Sequence, residues 1–198
     1  MTNYRRILLI TAIVLLAVGV AAVIQQSLRQ SFKGSVIEPP KAMPDFTLNS
    51  VKGPVSLHEF KNKIVVLYFG YTSCPDVCPA TLSELRQALA RLGSDADKVQ
   101  VIFISVDWKR DTAEKMDSYV QAFRPDFIGL SGSESQIDAV TKDFGIYYKI
   151  NQADKNGYFS VDHTAGMMVL NRQGELVLTW PFGVSSDDIL DDLNLLLN

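Results

Sequence analysis

Cys74 and Cys78 are the only cysteines in this 198-residue chain, and their i, i+4 spacing is the first place to look for chemistry. Residues four apart on a helix share a face about one turn apart, so both sulfurs can reach one metal ion, or each other. Pro79 inside a helix would clash with the carbonyl of residue 75. The spacing therefore predicts a helix that opens at Pro79, with Cys78 as its cap and Cys74 in the loop before it. Free amides and the positive dipole end at such a helix start favour thiolate, so lowered cysteine pKa values and a reactive or metal-binding pair are expected. A structural disulfide is the plainer alternative, although so short a loop restricts the unfolded chain least.

These thiols need a rigid delivery element, and the residues just before them supply one. Ile64 to Phe69 is a short apolar run rich in β-branched side chains, which reads as a strand buried on both faces and closed by Gly70. After Pro79, the stripe Leu82, Leu85, Leu89 and Leu92 reads as the buried face of a helix. Val99 to Val106 is a second buried strand, Asp111 to Phe123 a helix that Asp111 or Thr112 can cap, Phe127 to Leu130 a short strand, and Ser133 to Phe144 a helix closed by Gly145. Alternating strands and helices predict an α/β fold with a mostly parallel sheet packed on both faces. Three hairpins are expected: Phe46–Asn49 with Val55–Leu57, Tyr147–Ile150 with Tyr158–Val161, and Gly166–Leu170 with Glu175–Trp180. A last amphipathic helix runs from a Ser185 or Ser186 cap through Leu197.

Composition narrows the classes. Nineteen basic and 22 acidic residues leave a net charge of −3, and no Lys/Arg cluster exceeds a dipeptide, which excludes nucleic acid as a partner. Arg5-Arg6 precedes an uncharged apolar run, Ile7 to Ile24, long enough to cross a bilayer with the N-terminus in the cytoplasm. Residues 1–24 are therefore expected to be a single-pass anchor in the cell (inner) membrane. A cleaved signal peptide is the competing reading, since Gly19-Val20-Ala21 offers small residues. Residues 25–42, with Gly34, Pro39 and Pro40, read as a linker, and 43–198 as one domain on the extracytoplasmic, periplasmic side. There an unprotected thiol pair tends to oxidise.

A strand that delivers a cysteine pair into a helix, followed by βα units and a terminal hairpin plus helix, resembles the thioredoxin-like architecture. That resemblance implies that the loop before the strand Gly166–Leu170 faces the cysteines. Thioredoxin-like proteins usually present a cis-proline there; this chain has His163 in Val161-Asp162-His163-Thr164-Ala165 instead. Two thiolates and an imidazole form a soft three-coordinate set suited to copper(I). The stretches GYTSCPDVCPATL, FISVDWKRDT, GLSGS and VDHTAGMMVL occur in the order and approximate spacing of the SCO/SenC family, which this chain resembles throughout its soluble part and anchor. The resemblance implies a membrane-tethered copper-binding protein involved in building the dinuclear copper centre of cytochrome c oxidase, with Cys74, Cys78 and His163 as metal ligands. Its partner would be the copper-receiving oxidase subunit or another copper chaperone. The chain departs from many relatives at Ser73, at Trp108 and at the Met167-Met168 pair, none of which removes a ligand.

Other polar groups have lesser claims. Asp107 and Asp162 are candidates to orient a metal-bound imidazole by hydrogen bonding, with a solvated strand-end carboxylate as the alternative for each. Arg110 and Asp111 are expected to fix a loop or cap a helix. Met167 and Met168 alternate in a strand, so one faces the core, and His58 belongs to a polar turn. The leading functional reading is a copper metallochaperone. The runner-up, on the same residues, is a thiol-disulfide oxidoreductase in which Cys74 attacks and Cys78 resolves. A catalytic zinc site and a thiol peroxidase are weaker, the latter because Thr72-Ser73-Cys74 fits the required pocket poorly.

Overall fold

The two apolar runs with the strongest strand character lie side by side in a six-stranded sheet, and every residue of both is buried. The computed structural model describes residues 31–198. In chain order its strands are β1 (Ser35–Ala42), β2 (Thr47–Ser50), β3 (Gly53–Ser56), β4 (Ile64–Gly70), β5 (Val99–Ser105), β6 (Ile128–Leu130), β7 (Tyr148–Ile150), β8 (Val161–His163), β9 (Met167–Leu170) and β10 (Glu175–Trp180). Its helices are α1 (Val77–Leu92), α2 (Ala113–Gln121), α3 (Glu134–Phe144) and α4 (Ser186–Leu197).

The main sheet runs β1-β10-β9-β4-β5-β6. β4, β5 and β6 are parallel to one another, whereas β9, β10 and β1 join by antiparallel pairings. The mostly parallel sheet expected from the sequence is thus a mixed one. Only strands separated by a helix return in the same direction; the tight turn Asn171–Gly174 reverses the chain and forces β10 antiparallel. Side-chain alternation along β4 divides the layers. Tyr68 and Gly70 point towards α1, where the Cys78 sulfur lies, while Phe69 meets Phe144 of α3 on the opposite face. Tyr119 of α2 packs beside Phe103, itself stacked on Tyr68, so α2 shares the face of α1. α4 packs on α1.

Local signals account for most boundaries. Thr112 caps α2 by accepting from the Lys115 amide, Ser133 and Gln136 form a capping box at α3, and Gly145 closes α3 at φ 67°. Three boundaries differ from expectation. α1 begins at Val77, so Cys78 is inside its first turn and is not its cap. Pro79 is tolerated there because first-turn amides have no intrahelical acceptor, and residue 75 lies outside the helix, so no clash arises. β8 spans Val161–His163, which places His163 on a strand opposite Tyr148. Tyr158 to Ser160 belong to the turn.

The third difference concerns residues 35–42, read from the sequence as linker. They form β1, an edge strand pairing Ser35 with Thr179 and Ala42 with Glu175. Its register shifts between Val36 and Lys41, where Pro39 and Pro40 have no N–H to offer, so the prolines make a bulge and do not end the strand. Just before it, the buried Asp192 carboxylate accepts from the Lys33 amide at 2.7 Å, the Gly34 amide at 2.9 Å and the Trp180 indole at 2.8 Å. The expected anchor, 1–24, and residues 25–30 lie outside the described residues. Among the described residues no helix is long and apolar enough to cross a membrane.

Candidate metal centre

The site forms where β4 ends. Its backbone continues through Tyr71 and Thr72 into a loop that carries Cys74, and α1 then brings Cys78 back over Gly70. A Cβ at Gly70 would stand 2.7 Å from the Cys78 sulfur and 2.7 Å from a Phe103 ring carbon, so glycine is what lets this sulfur seat against the strand. Both cysteines are free thiols; Cys78 is fully buried and Cys74 half-buried. The Cys78 amide donates to the Cys74 sulfur at 3.4 Å, one unpaired helix-start N–H finding a partner on the loop.

β8 brings His163 to this pair. Its Nε2 lies 3.8 Å from the Cys78 sulfur, while Nδ1 is 3.0 Å from the Thr164 carbonyl. A carbonyl can only accept, so Nδ1 carries the proton and Nε2 presents its lone pair towards the sulfur. Burial holds the imidazole pKa below its ordinary value, which keeps the ring neutral and available as a donor. The ring sits edge-on to Tyr71, centroids 5.9 Å apart, and to Tyr68 at 6.4 Å. Among the described residues no three His, Cys, Asp or Glu side chains are gathered into a ready-made cage.

Electrostatics correct one expectation. Burial pushes the Cys78 thiol up to about 12, so at this position desolvation outweighs the pull of the helix start. Neither Asp107 nor Asp162 orients the imidazole. Asp107 is fully buried and pairs with Arg110, Asp162 is exposed, and the Thr164 carbonyl takes that role. Asp111 fixes a loop, as expected: it accepts from the Thr72 amide and hydroxyl and from Ser105. Met167 is in the core and Met168 half-buried, while His58 pairs with Asp45. Sequence reasoning missed Tyr71 and Tyr68. An aromatic three residues before Cys74, inside a motif already singled out, was the available signal for Tyr71.

The family model described as SCO1/SenC matches residues 35–198. The chain belongs to the SCO1/SenC family. A SCO2 homolog, a mitochondrial protein of Mus musculus, is 34% identical over 152 residues, covering 75% of this chain and 60% of the relative. The chain thus spans less than two thirds of that protein's length. Among solved structures, apo Sco1 of Thermus thermophilus is 41% identical with a TM-score of 0.78, covering 85% of this chain and 99% of that one. ScoI of Bradyrhizobium japonicum, solved with copper bound, is 36% identical with a TM-score of 0.72, covering 78% and 99%. SCO1/SenC members share with this chain a thioredoxin-like mixed α/β fold, a central sheet flanked by helices.

Proposed function

We propose that this protein is a membrane-tethered copper metallochaperone that holds copper(I) through Cys74, Cys78 and His163 and delivers it to a copper centre of cytochrome c oxidase. The observation that carries this reading is the bare Nε2 of His163 at 3.8 Å from the Cys78 sulfur, fixed in that tautomer by the Thr164 carbonyl. A resolving-cysteine site has no need of an imidazole there, whereas two soft thiolates and a neutral nitrogen match cuprous copper. The relative solved with copper bound supports the same cargo. The oxidase as recipient follows from the family resemblance, and the Arg5-Arg6 flank before Ile7–Ile24 supports an anchor with the domain on the extracytoplasmic side.

Burial sets the order of handover. Cys74 and His163 are half-buried and Cys78 is fully buried, so an incoming ligand displaces one of the first two before Cys78 lets go. Copper stays cuprous throughout; the thiols release protons on loading and recover them on release. The same geometry favours a second reading, a thiol-disulfide oxidoreductase, because the accessible Cys74 sulfur already receives an amide hydrogen bond. In that case the Cys74 thiolate attacks a partner disulfide and expels one partner thiolate. Cys78 then attacks Cys74, freeing the second partner thiol and leaving Cys74–Cys78 oxidised by two electrons.

One comparison separates the two readings. The reduced full-length protein should take up one copper(I) per chain, and His163→Ala should weaken uptake while sparing single-turnover disulfide reduction. Loss of the thiol reaction with unchanged copper uptake would reverse the assignment.

A further inference from the structure

The segment Asp107–Asp111 touches both halves of the site. Through Asp111 it grips Thr72 in the cysteine loop. Through Arg110 it grips the chain just ahead of His163: Nη1 donates to the Phe159 carbonyl at 2.9 Å, and the guanidinium lies 3.7 Å from the centre of the Phe159 ring. Tyr71 and Tyr158 flank the same guanidinium at 5.8 and 6.0 Å. Its Nε pairs with the fully buried Asp107 carboxylate. Among the described residues, Asp107 Oδ1 and Arg110 Nη2 are both buried without a partner, and they are the two atoms that a side-on carboxylate fork would join.

The strand bearing His163 needs such a fastening. β7 and β8 form a two-stranded sheet of their own, outside the main one, and an isolated two-stranded hairpin is marginal in water. Main-sheet backbone pairing takes hold only from Met167 onward, in β9; ahead of it, side chains from the body of the fold help hold His163 against the thiols. We propose that Arg110 is a positioning residue, a latch that ties the His163 strand to the cysteine loop and thereby decides whether the imidazole is in place for copper. This rests on the copper-carrier reading of the site. The stretch FISVDWKRDT then has a job at the site without supplying a ligand.

The test is a double-mutant cycle in the full-length protein, read by copper(I) competition against a chromophoric cuprous chelator and by amide hydrogen exchange of the metal-free form. Arg110→Gln should weaken copper(I) binding by about 10- to 100-fold, the usual cost of losing a group that orients a metal ligand. His163→Ala should weaken it at least as much, and Arg110→Gln should add nothing in that background, because a latch acts only through the ring it holds. In the metal-free protein, the amides of Asn151 and Thr164, which close the hairpin onto Ser160 and Tyr147, should exchange at least about tenfold faster, while the Thr72 amide keeps its protection. Phe159→Leu, which removes the stacked ring and leaves the Asp107 pair intact, should speed the same amides. Additive losses in the cycle, unchanged exchange at Asn151 and Thr164, or exchange that accelerates equally at Thr72 would each overturn the latch. If His163→Ala alone leaves copper binding intact, the ligand assignment falls instead, and the exchange pattern still decides the latch by itself.

Discussion

Replacing Asp111 with alanine removes the carboxylate that holds the cysteine loop in place, and its cost follows from what surrounds it. Four donors converge on the two oxygens: the Thr72 amide at 2.8 Å, the Thr72 hydroxyl at 2.6 Å, the Ser105 hydroxyl at 2.7 Å and Lys115 at 3.0 Å. The Asp111 side chain is fully buried, whereas that of Lys115 is 44% exposed. The lysine pair thus contributes no more than about 1 kcal/mol. The other three donors lose their acceptor in or beside a dry interior, at about 1–3 kcal/mol each before relaxation. Their sum is about 3–9 kcal/mol before relaxation, and rehydration of the part-buried Thr72 donors brings the cost towards the lower end, about 3–5 kcal/mol. In a domain of this size each kcal/mol moves the melting temperature by roughly 2–4 °C, so Asp111→Ala should melt roughly 6–20 °C lower. Thermal unfolding of the reduced, metal-free protein, followed by circular dichroism, measures this directly, with Lys115→Ala as the control that should move little. If Asp111→Ala melts within about 3 °C of the parent, or no lower than Lys115→Ala, the four-donor account is refuted.

Two further outcomes follow from the sulfur's surroundings. Gly70→Ala places a methyl 2.7 Å from both the Cys78 sulfur and the Phe103 ring, so it should destabilise the fold by about 1–3 kcal/mol in the same melting assay and also weaken copper uptake. The pH dependence of loading has a definite sign. Cys78, pushed up to about 12, keeps its proton at neutral pH and must surrender it to the metal, while His163, held below its ordinary value, is already bare. Copper(I) affinity should therefore rise by about tenfold per pH unit for each proton released, and a chelator titration showing no dependence between about pH 6.5 and 8.5 would contradict it.

What the sequence revealed and what it hid divide along physical lines. The strand feeding the thiols was legible because Ile64 to Phe69 carries no charge and only one hydroxyl, that of Tyr68, and the stripe Leu82 to Leu92 gave the helix after it. Capping residues fixed α3 almost to the residue, since Ser133 and Gly145 satisfy backbone groups that apolar periodicity ignores. Pro39 and Pro40 misled, because a proline pair marks a linker or an edge-strand bulge equally well, and only the partner strand distinguishes them. At the site, residue types and motif order pointed to Cys74, Cys78 and His163, yet nothing local reveals that a backbone carbonyl at Thr164 selects the tautomer. Nor could spacing show that Cys78 is buried deeply enough for desolvation to override the helix dipole. Both depend on what folds over the residue from elsewhere.

The clamp on Asp192 has a practical consequence for anyone who wants this domain free of its N-terminal segment. Trimming at Met43, where composition alone would put the start, discards β1 and two of the three donors on a buried carboxylate, and it bares the ladder of β10 along a whole edge. Such an exposed edge invites pairing with neighbouring molecules. A version beginning at Phe32 keeps the Lys33 and Gly34 amides on Asp192, with the Gly34 backbone tucked against Trp180 where no side chain would fit, and so leaves β10 paired, with the short proline-bulged β1 as the sheet's edge.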